Sequence, residues 1–358
     1  MGRVTDRLGT RLGYTISALI WSSAAVAHAA ASTVAGFAKA RLGLGLGEGG
    51  SFPASIKTVA EWFPLKERAL ATAIFNSGTN LGPVFVPMVI PYITIRFGWR
   101  WCFVITGLAN LCWILPWLLV YRRPEEHKFV SSSELAYIRS GAAEPSVRIP
   151  WARLLQHRQL WAIAAGKFLT DPVWWLLLFW IPDFLSRRHG LNLLGMELPL
   201  VTIYGGATVG SLAGGWLSGR LIKYGWTVNA SRKTTMAICA CGVVPIILAS
   251  RVSGLWSAVA LLTLSTASHQ GWSANLFTLS SDMFPRRAVA SVTGIIGMIG
   301  ACGGMMIAEV VGYVLTKTGS YTLIFGIAAG AYLVALFFIH ILAPQLQPAR
   351  SGSCLINL

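Results

Sequence analysis

Apolar runs of about 20 residues recur from one end of this chain to the other, each long enough to cross the ~30 Å hydrocarbon core of a bilayer as a helix. No other feature limits the fold so tightly. Of the 358 residues, 54% are hydrophobic and only 12% charged, and the mean hydropathy is +0.61, which a single aqueous core does not accommodate. Alternating segments of the barrel type are missing. The expected fold class is an all-α polytopic membrane protein. Ten spans are predicted, at about 13–32, 36–58, 70–94, 100–121, 160–184, 198–219, 234–250, 255–279, 288–315 and 321–343.

The formal charge of +16 raises nucleic acid as a partner, since basic patches mark phosphate binding. Topology explains the charge better. With Met1 on the cytoplasmic side, 20 of the 29 Lys and Arg fall on that side and six on the other, and the remaining three, Lys39, Arg41 and Lys167, lie in or beside spans. Positive charge collects in cytoplasmic loops, so the start of the chain, the central loop and the C-terminus are expected inside a bacterial inner membrane. Trp62, Trp99, Trp101, Trp151 and Trp161 fall near span ends, where tryptophan anchors helices to the interface. The six cysteines form no CxxC pair; free thiols, no metal and no cofactor are expected. Met1 opens directly onto a polar, basic segment, which is not expected to be a cleaved signal peptide.

The longest polar interruption divides the chain into a four-helix portion at 1–121, a cytoplasmic central loop at 122–159, a six-helix half at 160–343 and a cytoplasmic tail at 344–358. A loop motif recurs on either side of it. "GRVTDRLGTR" (Gly2, Asp6, Arg7, Gly9, Arg11) and "GWLSGRLIKYG" (Gly215 to Gly225) share a glycine, a short polar turn with an arginine, and a further glycine. Such turns let two helices meet closely, with Asp6 placed to cap a helix N-terminus. Two helices' worth of chain precedes the second copy within its half, and almost none precedes the first. The expectation is ten of twelve helices, with the first two missing.

A 6+6 architecture with this motif in each half and a basic central loop resembles the major facilitator superfamily. "ARLGLGLGEGGSFPASIKTVAEWFPLKERALATAIFNSGTNLG" resembles the fourth and fifth helices of its anion:cation symporter family. "SFPASIKTVAEWFP", "KFLTDPVWWLLLFWIPDFL" and "HQGWSANLFTLSSDMFP" are most similar to the bacterial hexuronate branch. The resemblance implies a secondary transporter whose two halves rock about a midplane site and carry a glucuronate- or galacturonate-like anion with a proton.

"RLGLGLGE" carries an arginine and a glutamate into one of the spans. Arg41 and Glu48 are seven residues apart, about 20° short of two helical turns, so they share one helix face about 10 Å apart along the axis. The intervening glycines clear space around them. Intramembrane ionisable groups are costly and mark ion or substrate paths. Arg41 presents a permanently charged planar fork that matches a carboxylate, and Glu48 can be neutralised by a proton. The resemblance implies the same roles: Arg41 holds the substrate carboxylate and Glu48 couples protonation. The alternatives are a structural ion pair between the two and a phosphate-binding glycine loop; the latter fails because no strand precedes the run.

Further candidates lie deeper in the chain. Lys167 and Asp171, one turn apart before Pro172, either contact substrate or neutralise each other, and the Asp-Pro step invites a local helix break. Asn76 and Asn80 can bond sugar hydroxyls or neighbouring helices. Gln270, Trp272 and Asn275 offer an aromatic face beside amides for a sugar ring. His269 is either a proton relay or a neutral histidine bonded to a neighbouring helix. His28 reads as structural. With neither HExxH nor GxSxG with partners, an enzyme is not expected. The rival readings are a transporter of another organic anion such as an aldonate or glucarate, sodium coupling, a channel, an inactive fragment and an anion-binding sensor. A monomer in the lipid bilayer is expected.

Overall fold

The computed structural model describes residues 1–79, 81–140, 151–192 and 195–347, with backbone alone at 86–88, 91, 151–152 and 286. Helices account for the secondary structure, and no strand occurs among the described residues. In chain order they are α1 (Gly2–Leu8), α2 (Thr10–Ala30), α3 (Val34–Glu48), α4 (Ser51–Trp62), α5 (Arg68–Gly78), α6 (Leu81–Phe97), α7 (Trp99–Val120), α8 (Ser132–Ile138), α9 (Trp151–Leu154), α10 (Arg158–His189), α11 (Glu197–Lys223), α12 (Val228–Val243), α13 (Leu255–Met283), α14 (Arg286–Thr318) and α15 (Thr322–Leu342). Among the described residues, five stretches are long and apolar enough to cross a membrane: α7, α10, α12 with its 3-10 continuation to Leu248, α14 from Arg287, and α15.

Each expected span falls on helix, but three are not single α-helices. The span at 36–58 is divided into α3 and α4, because Pro53 has no N–H to offer the Gly49 carbonyl and Gly49-Gly50 gives way there. The span at 70–94 is divided into α5 and α6 in the same manner, with Pro83 four residues beyond Thr79. The span at 234–250 is α12 followed by a 3-10 turn over Val244–Leu248, with Pro245 as its second residue. By contrast, α10 runs unbroken through Pro172 and Pro182, so the break expected at Asp171-Pro172 does not occur. The carbonyl that Pro172 leaves without its helical donor belongs to Phe168. It lies against α14, where a Cβ on Gly303 would come within 2.6 Å of it.

By contact the chain forms two units. The first comprises Met1–Leu65, Phe85–Leu154 and Phe284–Ile295; the second comprises Lys66–Val84, Leu155–Met283 and the chain from Ile296 onward. In the first, α2 packs against α1, α3, α4 and α7 through a face of small residues that includes Gly13, Ser17, Ala18, Ser22 and Ala25. A Cβ on Gly47 would lie 2.3 Å from the Trp21 nitrogen, and one on Gly107 would lie 2.6 Å from Val26 Cγ2. Backbones this close gain dispersion contacts that larger side chains would prevent.

The second unit uses the same device with a clearer register. Gly206, Gly210 and Gly214 of α11 meet Thr263, Ala267 and Gly271 of α13, so the two helices run parallel with one contact per turn. A Cβ at Gly210 would lie 2.1 Å from the Ala267 carbonyl oxygen. On another side of α11, Gly215 lies against Ala69 and Ala73 of α5, which also packs on α13. The α10 helix packs against α13 and α15. Many large apolar side chains remain exposed, among them Trp113, Leu115 and Leu119 of α7 and Leu323, Ile327 and Phe337 of α15. Such surfaces suit a hydrocarbon solvent.

Candidate functional site

In the first unit, the loop motif ties several elements together. Gly2 is buried where a Cβ would lie 2.1 Å from the Ala290 oxygen, and Gly9, at φ +84°, turns the chain from α1 into α2 beside Arg123. The Asp6 carboxylate pairs with Lys57 Nζ of α4 at 2.8 Å and accepts from the Ser291 backbone N–H at 2.6 Å. Ser291 is the sixth residue of α14, so Asp6 meets that helix in its second turn, not as the N-terminal cap expected from sequence. Burial raises the Asp6 pKa above the ordinary carboxylate value, against the opposing pull of Lys57. Arg11 donates to the Leu118 carbonyl at the end of α7, whereas Arg7 is exposed.

Arg41 and Glu48 both lie on the exposed face of α3. Gly43 and Gly47 of α3, with Gly50 just beyond it, pack on α2 against Ala24, Trp21 and Ser17. The glycine run therefore serves two purposes: three of its members bring α3 against α2, while Gly45 opens space beside the charges and has nothing within 4 Å of its Cβ position. Among the described residues neither Arg41 nor Glu48 has a hydrogen-bond or ion-pair partner, so the structural ion pair is not formed.

Most of the second-unit candidates bond protein neighbours, whereas Trp272 Nε1 and Asn275 Oδ1 are buried with no hydrogen-bond partner among the described residues. Lys167 and Asp171 form an ion pair at 2.6 Å, with Lys167 Nζ also 4.2 Å from the centre of the Phe277 ring. Gly300 of α14 passes over this pair; a Cβ there would lie 2.2 Å from Asp171 Oδ2. Asn76 is buried and donates to Gln270 Oε1 at 2.6 Å and to Ser211 Oγ at 3.3 Å, joining α5, α13 and α11. His269 bonds the Tyr332 hydroxyl and stacks on Trp174 at 5.0 Å. His269 is thus bonded to a neighbouring helix, and His28 bonds the Ala24 oxygen at 2.7 Å and stacks on Phe103.

Trp272 and Asn275 do not present themselves as a sugar platform. Trp272 is fully buried edge-on to Tyr332, and Asn275 donates to the carbonyls of Gly214 and Gly271 at the α11–α13 seam. Asn80 lies outside the described residues. The described cysteines are free thiols, and no metal-binding cluster occurs among the described residues.

Sequence reading missed a pair of buried acids. Glu61, at the end of α4, accepts from Thr10 Oγ1 at 2.9 Å and from the Tyr121 hydroxyl. Asp282, at the end of α13, pairs with Arg232 of α12 at 2.9 Å with both side chains almost wholly buried, and Arg232 also reaches Ser218 Oγ at 2.6 Å. The signal was present: "EWFP" at 61–64 and "DMFP" at 282–285 form a second internal repeat. As in the first copy, the loop motif beside Arg232 ends at a left-handed glycine, Gly225 at φ +91°.

Helices of bilayer length, small-residue seams and apolar outer faces define a multi-pass helical membrane protein. The chain belongs to the major facilitator superfamily, whose family model matches residues 1–308. It is 31% identical over 336 residues to the hexuronate transporter of Escherichia coli K12, spanning 92% of this chain and 77% of that protein. Over 246 residues it is 34% identical to the galacturonate transporter of Dickeya chrysanthemi, covering 66% of this chain and 70% of that one. The fold matches the proton:xylose symporter XylE bound to 6-bromo-6-deoxy-D-glucose, with a TM-score of 0.75 at 14% identity over 97% of this chain and 82% of that structure. The family and these relatives are transporters, and this chain is a transporter and not an enzyme.

Proposed function

We propose that this protein is a secondary active transporter that imports a sugar-acid anion, of the hexuronate class, together with a proton. The observation that carries the reading is the pair of unpartnered charges on one face of α3, Arg41 and Glu48, in a chain related to hexuronate and galacturonate transporters. Arg41 holds the substrate carboxylate through its guanidinium fork. Glu48, about two turns away, senses the anion electrostatically. Two unit charges about 10 Å apart repel by about 1.7 kcal/mol at an effective dielectric of 20, so neutralising Glu48 favours anion binding roughly fifteenfold. Linkage makes the effect reciprocal: the bound anion favours the proton by the same factor.

The protein works as a monomer to which this chain supplies ten crossings of a bacterial inner membrane, with its basic loops cytoplasmic, and access alternates between the two sides. Within the second unit, Lys167, Asp171, Asn76 and Gln270 are further candidates for substrate contact, each by giving up its present partner. A second substrate class is favoured by the 28% identity, over 351 residues, to the D-galactonate transporter of Escherichia coli O6:H1. Aldonates and hexuronates share a carboxylate and a polyol chain, and Arg41 serves both.

The test is uptake of labelled galacturonate, glucuronate and galactonate into energised vesicles, with and without an imposed pH gradient. Concentrative uptake of one of them only under the gradient is expected. Glu48→Gln should abolish accumulation while sparing exchange of labelled for unlabelled substrate. Full accumulation by that variant would remove Glu48 from the coupling role, and uptake driven by a sodium gradient alone would replace the proton.

A further inference from the structure

At the C-terminal end of α11 the second unit carries a groove of about 300 Å³ that the transport reading does not use. Lys66, Arg220 and Lys223 line it, with Glu67 as its one acid and Trp216 and Tyr224 as its aromatic walls. Arg220 is fixed in place. Its Cζ lies 5.0 Å from the centre of the Trp216 ring and 5.3 Å from that of Tyr224, and its Nε and Nη2 donate to the Tyr224 hydroxyl at 3.2 and 2.8 Å. The rest of the guanidinium fork has no protein partner among the described residues.

The groove lies at a membrane surface. The turn after α11 leads straight into Val228–Leu248, a stretch apolar enough to cross the bilayer, so the residues just before it stand at the water boundary. Trp216, Tyr224 and Trp226 are all about half or more exposed there, as expected of residues in the interfacial belt. From this basic end, two exposed apolar rows run away along the antiparallel α5 and α11: Leu70 and Ile74 on one, Trp216, Leu212 and Val209 on the other. Gly215 against Ala69 and Ala73 sets that pairing of the two helices. A cationic head end continuous with an apolar trough is complementary to an amphiphile with an anionic head.

We propose that this groove is a binding site for an anionic phospholipid, whose phosphate sits among Lys66, Arg220 and Lys223 and whose acyl chain lies along Leu70, Ile74 and Leu212. Basic pockets at helix ends take such head groups, and each cation near the surface contributes about fivefold to affinity. The apolar rows select a lipid over a soluble phosphate, for which they would have no use. The site is independent of which anion the protein transports.

The experiment is native mass spectrometry of the full chain, titrated with phosphatidylglycerol or phosphatidylcholine, with glycerol 3-phosphate as the soluble competitor. Phosphatidylglycerol should bind at least tenfold more tightly than phosphatidylcholine, and glycerol 3-phosphate should displace it only at far higher concentration. The triple variant Lys66→Gln, Arg220→Gln, Lys223→Gln should lose about a hundredfold in affinity. Should the triple variant fail to fold, Lys223→Gln alone, at an exposed position, should lose about fivefold. Equal binding of the two lipids, unchanged affinity in either variant, or displacement by equimolar glycerol 3-phosphate would each overturn the lipid site. None of these outcomes bears on uptake, which is measured separately.

Discussion

Two helices in this protein each set a basic and an acidic residue on one face of an apolar segment, and they dispose of them differently. On α10, Lys167 and Asp171 are four residues apart and close on each other at 2.6 Å. On α3, Arg41 and Glu48 are seven apart, share a face, and stay unpartnered among the described residues. Spacing decides the difference. Four residues place two side chains over one another, whereas seven leave about 10 Å between their backbones. A pair at one-turn spacing supplies its own counterion; a pair at two-turn spacing leaves both charges available to something else.

The largest effect that tests this comparison is on stability. Asp171→Asn leaves the Lys167 ammonium buried without its counterion, and removing one member of a buried pair typically costs about 3–5 kcal/mol. Thermal unfolding in a fixed detergent should fall sharply for Asp171→Asn, recover most of the loss in Lys167→Met with Asp171→Leu, and move by no more than about 0.5 kcal/mol for Glu48→Gln. If Glu48→Gln destabilises as much as Asp171→Asn, the α3 charges are structural and the contrast collapses.

Next in size is affinity. Arg41→Gln removes a charge-assisted bond to the anion, worth about 1.5–3 kcal/mol, and should weaken binding by about ten- to a hundredfold without lowering the melting temperature. Scintillation proximity or uptake competition reads it. Glu48→Gln comes third: substrate affinity in the wild type should rise roughly fifteenfold as Glu48 is neutralised, and the variant should show the high affinity at every pH. A variant that keeps the wild-type pH dependence would point to another proton acceptor.

The sequence makes the helical class, the positions of the helices and the two-turn spacing of Arg41 and Glu48 legible, because all three follow from periodicity and hydropathy along a single segment. What it hides is pairing across segments. Asn76 with Gln270, His269 with Tyr332 and Glu61 with Thr10 and Tyr121 join residues tens to hundreds of positions apart. A polar residue read alone in a helix shows no partner, and only the fold supplies the neighbour it bonds. The break at Pro53 and the continuity at Pro172 differ for the same reason. At Pro172 the freed carbonyl of Phe168 is covered by Gly303 of another helix, a contact with no mark in the local sequence.

The smallest effect concerns Asp6, which lies on α1 outside the expected spans and pairs with Lys57. Burial raises its pKa above the usual carboxylate value although Lys57 pulls the other way. A carboxyl with a raised folded-state pKa binds its proton more tightly folded than unfolded. Its stabilising contribution is therefore complete below the unfolded value of about 3.9 and is lost as the pH rises through the raised folded value. Relative to Asp6→Asn, the wild type should gain melting temperature as the pH is lowered from 7 toward 4, by a degree or so at most for a chain of this size. The opposite slope would mean that the Lys57 contact and the Ser291 N–H outweigh burial, and that this pair, like the one on α10, is held together mainly by charge.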